Sequence, residues 1–237
     1  MPMHLIQKHL CGNDKYPLRL KNCRIPMCAS CQYGKQSKRS VRKKKSRPIA
    51  TENAPPGMEV SVDQLESSVG GRSIKGYGKS KNLITVCTLF VDNTTQFMFA
   101  HPQFSTSAAE TLEAKSKFEH CALMHGREIK NYHADNGSFA AAEFTDDIKN
   151  KKQGIRYCAP GTHNQNGIAE RHIRTISDIS RSMLIHAATK WPDKITPSLW
   201  PFAIMLAVDV WNHTPRGENG APIDLFSKFR RSDISYF

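Results

Sequence analysis

Three acidic residues stand out by type and spacing: Asp63, Asp135 and Glu170. Asp135 opens the tripeptide Asp135-Asn136-Gly137, which is ordinary turn chemistry because Asn and Gly tolerate positive φ at low cost. A hairpin would need a second strand directly after that turn. The next segment, SFAAAEFTDDIKNK, is instead Ala-rich with Ser138 at an N-cap position, so it reads as a helix. Asp135 then sits at the carboxyl end of a strand, where α/β folds place their chemistry. Glu170 opens a long helix, with 34 residues between it and Asp135, and Asp63 lies in the strand-like MEVSVDQLES. Two divalent cations roughly 3.5–4 Å apart need several oxygen ligands converging from different elements. A strand-centre Asp can bridge both ions, while a strand-end Asp and a helix-start Glu each complete one. Each acid also has a plainer reading. Asp135 can be a turn former, and Glu170 can complement the helix dipole and pair with Arg174 at i,i+4. Asp92, in LFVDNTTQF, competes with Asp63, but D-N-T-T between two strands is the better hairpin turn.

A second group of chemistry-bearing residues lies near the amino terminus. Cys28 and Cys31 form a C-x-x-C pair that puts two thiolates on one knuckle, and His4 and His9 can place two imidazoles on one side of a helix. Together they supply four tetrahedral ligands for Zn²⁺, with Cys11 and Cys23 as alternative ligands. The plainer reading is free cysteines with incidental histidines. A segment of about 34 residues could hardly bury a core without metal.

Three regions carry these groups. Residues 1–34 are the His/Cys segment, 35–57 a basic, Pro-containing linker, and 58–237 a compact α/β domain. In that domain MEVSVDQLES is a strand, RSIKGYGKSK a Gly-rich loop, and NLITVCTLFVD with TTQFMFAHP a hairpin. Ser107 with Glu110 forms a capping box opening a helix that runs to Gly126. EIKNYHA and GIRYCAP are further strands separated by a helix. Long helices come after them, from about Ile168 to Ala188 and over SLWPFAIMLAVDVWNH. In the first of these, Ile168, Ile173, Ile176, Ile179, Met183, Leu184 and Ala187 share an apolar arc edged by Glu170, Arg174, Ser177 and Arg181. The order βββ, α, β, α, β, α, α is that of the ribonuclease H-like fold, a mixed five-stranded sheet flanked by helices.

Composition narrows the partners. The net charge of +13 is concentrated: residues 1–50 carry 13 Lys/Arg against Asp14 alone, and the remaining 187 carry 21 Lys/Arg against 20 acids. A polyanion, most simply nucleic acid, accounts for so basic a segment better than an idle solvated linker. No apolar run approaches the 18 or so residues of a membrane span, and MPMHLIQKHLCG lacks a signal-peptide core. Seven cysteines, an odd number, point to a reducing compartment rather than a disulfide framework.

HADNGSF followed by GTHNQNGIAERHIRTI closely resembles the integrase core of Copia-type LTR retrotransposons, within the retroviral integrase superfamily. The likeness continues through LWPFAIMLAVDVWNHTP and APIDLFSKFR, so it covers nearly the whole chain. It implies a D,D,E triad of Asp63, Asp135 and Glu170 holding two Mg²⁺ (or Mn²⁺) ions. It further implies metal-dependent trimming of a DNA end, then attack of its 3′-OH on a target phosphodiester. CQYGKQSKR, from Cys31, resembles the zinc-binding pre-integrase segment of these elements, although 18 residues between His9 and Cys28 is short for a retroviral HHCC domain. Arg171 and Arg174 stand where they would contact DNA phosphates, and His163, Asn164 and Asn166 where the family approaches the DNA end. The resemblance implies a homo-oligomer acting on element ends and target DNA in a nuclear and cytoplasmic particle.

The same residues admit rival readings. The chain ends at SDISYF without a recognisable basic C-terminal domain and starts at a Met within what resembles a polyprotein. That leaves a truncated or inactive relic that only binds nucleic acid as the alternative. Another ribonuclease H-like nuclease is disfavoured by the His/Cys segment, and a plain zinc module leaves the α/β domain unexplained.

Overall fold

A computed structural model describes residues 27–35, 54–73, 83–158, 166–215 and 220–229. The His/Cys segment is represented there by α1 (Ala29–Gly34). The domain begins with β1 (Glu59–Gly71), β2 (Ile84–Asp92) and β3 (Met98–Gln103). Next come α2 (Ala108–Met124), β4 (Asn131–Ala134), a 3-10 turn Ser138–Ala140, α3 (Ala142–Asn150) and β5 (Gly154–Tyr157). The chain continues through α4 (Gly167–Lys190), a 3-10 turn Pro197–Leu199, α5 (Trp200–His213) and α6 (Pro222–Phe226). The sheet order is β3-β2-β1-β4-β5, with β1–β2 and β2–β3 antiparallel and β1–β4 and β4–β5 parallel. This is the mixed five-stranded, ribonuclease H-like arrangement expected from the element order, and it makes β1 the central strand.

Alternation along the strands builds a core on each face of the sheet. Val60, Val62, Phe90 and Tyr132 pack with Phe118 of α2, Phe144 of α3 and Phe226 of α6. Cys87, Leu89 and Val91 pack on the other face with Ile176 and Ile179 of α4 and Ile204 and Val208 of α5. The first core is aromatic, with Phe90 stacked on Phe118 at 4.6 Å and Phe97 on Phe226 at 4.3 Å. Among the described residues no helix is long and apolar enough to cross a membrane.

Several expectations are corrected in detail. The first strand continues past Glu66 to Gly71, and there its glycines admit close neighbours. A Cβ on Gly71 would collide with Pro201 and the Trp200 indole, whose Nε1 donates to Val69 O at 2.8 Å. Gly71 is therefore a seat for α5, while a Cβ on Gly70 would collide with Leu83. The capping box forms by halves: Ser107 Oγ accepts from Glu110 N at 3.4 Å, but the Glu110 carboxylate accepts from Phe104 N at 2.6 Å and Ser105 N at 3.2 Å. Ser138 caps no α-helix, since a 3-10 turn intervenes before α3.

Two polar devices hold the layers. Asn212 donates through Nδ2 to Met98 O at 2.7 Å and accepts through Oδ1 from Met98 N at 2.9 Å, so its amide pairs with edge strand β3 as a neighbouring strand would. On the opposite face, the wholly buried Lys115 donates to Glu119 Oε1 at 2.7 Å, Asp147 Oδ2 at 2.5 Å and Gln153 Oε1 at 2.8 Å. It joins α2, α3 and the approach to β5, 5.3 Å from the centre of the Tyr132 ring. Burial works against the charge of Glu119, yet bonds from Lys115, Lys151 and Gln153 hold its carboxyl below the usual range. Lys115→Ala leaves that carboxylate and Asp147 with Lys151 as their one remaining cation among the described ion pairs, and we expect a loss of about 3 kcal/mol in urea unfolding. An unchanged unfolding midpoint would show that the network carries no net stability.

Candidate active site

Asp63 is partly buried on β1, opposite Leu89 of β2. Its Oδ1 accepts from the N–H of Gln64 at 2.8 Å. Burial, followed by the charges of Asp135 and Glu170, pushes its carboxyl up to about 6, against the lowering effect of that N–H. Asp135 is exposed, one residue past β4, and Glu170 is partly buried in the first turn of α4. Three elements thus deliver three acids whose charges bear on one another.

Cys158, just past β5, lies within reach of the same three charges. Burial raises its thiol first, and then the charges of Asp135, Glu170 and Asp63 raise it further. Its Sγ lies 3.8 Å from Nε2 of His133, whose imidazole is held below its usual range by burial. Sequence reasoning misses both residues, because a Cys in RYCAP and a His in NYHAD carry no spacing signature.

The Asp135-Asn136-Gly137 turn works differently from its expected chemistry. Positive φ occurs among the described residues at Gln96, Lys152, Gly57, Gly126 and Gly220, not at Asn136 or Gly137. Asn136 Nδ2 instead donates to Cys158 O at 2.8 Å, tying the turn to the end of β5. Gly137 N donates to Asp135 Oδ1 at 3.3 Å, and a Cβ on Gly137 would press on that carboxylate at 3.3 Å. Glycine is useful there because it clears the acid.

Asp92, the competitor of Asp63, is fully buried and accepts from Gly57 N at 2.8 Å, Thr95 N at 2.8 Å and Thr95 Oγ1 at 2.7 Å. Its oxygens serve the hairpin turn. The i,i+4 pairing of Glu170 with Arg174 is not formed among the described ion pairs, and Arg171 and Arg174 are both exposed. Asn166, grouped by position with loop residues that approach DNA, is instead 3% exposed and donates through Nδ2 to Val62 O at 2.9 Å. The fold turns it inward because β1 runs past the start of α4. His163 and Asn164 lie outside the described residues, as do His4, His9, Cys11 and Cys23.

Cys28 caps α1 and Cys31 lies within it, both as free thiols. The backbone N–H and thiol of Cys31 hold Cys28 below its usual range, while burial and the Cys28 bond raise Cys31. This short helix is seated on α4. A Cβ on Gly34 would overlap Ser182, and Arg181 Nη1 donates to Gly34 O at 2.9 Å.

The donor set of the acid cluster is all oxygen and suits a hard divalent cation. Asp135 is turned onto Gly137, and among the described residues no three His, Cys, Asp or Glu side chains lie close enough to enclose an ion.

The fold is that of retroviral integrase catalytic cores. The catalytic core domain of HTLV-2 integrase in complex with magnesium matches with a TM-score of 0.51 at 16% identity, over 73% of this chain and 98% of that one. The simian T-cell lymphotropic virus intasome in complex with PP2A regulatory subunit B56 gamma matches with a TM-score of 0.56 at 15% identity, over 83% of this chain and 63% of that one. In sequence the chain is similar to the retrovirus-related Pol polyprotein from transposon TNT 1-94 of Nicotiana tabacum, a Copia-type element, with 28% identity over 202 residues. Those residues are 82% of this chain and 13% of the polyprotein, so the chain spans a small part of that relative. No family model matches.

The raised carboxyl of Asp63 sets a pH dependence. The folded chain holds that proton to about 6 and the unfolded chain to 3.8. Between those values the folded state binds more protons, so stability falls as pH rises. Above about pH 6 the full burden is present, about 2–3 kcal/mol. With chelator present, Asp63→Asn should melt above the wild type at pH 8 and match it near pH 4. An Asn variant no more stable than wild type at pH 8 would contradict the electrostatic account.

Proposed function

We propose that the chain is the zinc-segment-and-core portion of an integrase that processes a DNA end and transfers it to target DNA through Asp63, Asp135 and Glu170. The observation that carries this reading is the delivery of three carboxylates from three elements of one frame, Asp63 on the central strand β1, Asp135 just past β4 and Glu170 in the first turn of α4. The integrase-like fold and the Pol polyprotein relative support the reaction class.

Divalent cations, Mg²⁺ or Mn²⁺, when bound, supply the Lewis acid that activates water or a 3′-OH and stabilises the leaving oxygen. The residues of this chain hold and aim. Asp63 on the central strand, Asp135 past the end of β4 and Glu170 at the start of α4 would hold the cations. Arg171 and Arg174, exposed beside Glu170, contact phosphates, as do His163 and Asn164 earlier in the sequence. The HTLV-2 core is known with magnesium and in dimeric and trimeric forms, and the simian virus relative as an intasome. These likenesses support Mg²⁺, DNA and self-association as partners here; the nuclear and cytoplasmic particle is proposed from the sequence resemblance alone.

His4, His9, Cys28 and Cys31 bind zinc in this reading, and the seating of α1 on α4 holds the Cys pair against the core. Metal analysis should find one zinc per chain, lost on joint Cys28→Ser and Cys31→Ser substitution. Retention of zinc by that double variant would move the ligands elsewhere.

Strand transfer of a labelled DNA end with Mg²⁺ or Mn²⁺ tests the main proposal. Asp135→Asn and Glu170→Gln should each lower the rate by at least about 10³-fold, in line with the loss of transition-state charge stabilisation. Activity surviving either substitution would sink the triad. No activity in the wild-type chain, with DNA binding retained, would favour the non-catalytic relic.

A further inference from the structure

Three like charges on three elements repel, so something other than the acids must fix β1, the end of β4 and the start of α4 relative to one another. Two side-chain amides flank Asp63 and do this. The first is Asn166, immediately before α4 and 3% exposed. Its Nδ2 donates to Val62 O at 2.9 Å, one residue beyond Ser61, where the pairing of β1 with β4 has ended. The start of the helix carrying Glu170 is thereby fastened to the residue preceding Asp63.

The second is Gln64, the residue following Asp63. Its backbone N–H donates to Asp63 Oδ1 at 2.8 Å. Its side chain crosses to the other face of the sheet, where Nε2 donates to Thr88 Oγ1 at 3.3 Å and Thr111 Oγ1 at 3.2 Å. Its Oε1 accepts from Ser138 Oγ at 2.9 Å, and Ser138 comes directly after the Asp135 turn. One residue thus grips the first acid through its backbone and the turn of the second through its side chain.

We propose that Asn166 and Gln64 are positioning residues that clamp the Glu170 helix and the Asp135 turn to the strand of Asp63, and so set the affinity of the site for its divalent cation. This rests on reading the acid cluster as a metal-dependent active site. Asn166 has an additional feature that a purely structural amide would not need: its Oδ1 is buried without a hydrogen-bond partner. A buried acceptor is normally satisfied, by protein or by ordered water. Groups that orient metal ligands without touching the ion commonly change affinity 10–100-fold when removed.

The test is Mn²⁺ binding to the full chain, zinc supplied, followed by electron paramagnetic resonance of the free ion. Asn166→Ala and Gln64→Ala are compared with wild type and with Asp135→Asn, and unfolding midpoints are recorded for each. We expect Asp135→Asn to abolish tight Mn²⁺ binding and each amide variant to weaken it about 10–100-fold in protein that remains folded. If both amide variants bind Mn²⁺ like wild type while Asp135→Asn does not, the positioning role is overturned and the active-site reading stands. If Asp135→Asn itself binds like wild type, the active-site reading falls and takes the clamps with it. Should Asn166→Ala fail to fold, Gln64→Ala decides, because Gln64 is only partly buried.

Discussion

A carboxylate in the middle of the central strand, with two more carboxylates bearing on it, is an unfavourable arrangement that the rest of the molecule has to hold in place. Burial and like charge both raise Asp63, and neither helps the chain fold. The compensation lies on both faces of the sheet. One side is closed by stacked aromatic rings and the Lys115 network, the other by the aliphatic seam between β2, α4 and α5. Asn212 seals the outer edge by standing in for a sixth strand beside Met98. Rigidity from these sources holds the three elements that carry the acids.

The acids also explain why the helices begin where they do. α4 starts at Gly167, so Glu170 falls in its first turn, where the helix dipole favours an anion. The same helix, farther along, receives α1 through Gly34 and Arg181. One element therefore carries an acid of the cluster at its start and the thiol-bearing knuckle near its middle. That continuity is a physical link between the two chemistry-bearing parts of the chain.

Much of the fold is legible in sequence, and for identifiable reasons. The hairpin, the long helix and the placing of the three acids derive from strict alternation, from helical spacing and from turn residues, all of which are local signals. The likeness to integrases is carried by DNG and NG-x-x-E-R, short motifs read directly from the chain. Contacts between distant segments are not legible. Nothing local distinguishes Asn166 as an inward-facing amide, Gln64 as a clamp, or Cys158 as a neighbour of the acids. Each owes its role to an element dozens of residues away. The extension of β1 to Gly71 is not legible either, because Gly71 is there to admit Trp200 and Pro201 and Gly70 to admit Leu83. The Ser107–Glu110 box is half right because Glu110 finds backbone N–H groups in the incoming loop before it reaches its own cap.

The central claim is that Asp63, Asp135 and Glu170 form one divalent-cation site. Crystals of the chain grown with Mn²⁺, measured at an energy where manganese scatters anomalously, address it directly. The account predicts anomalous peaks within about 2.0–2.6 Å of oxygens from all three carboxylates, the range of hard-cation coordination. Carboxylates more than about 10 Å apart, or manganese bound elsewhere with these three acids unliganded, would contradict it.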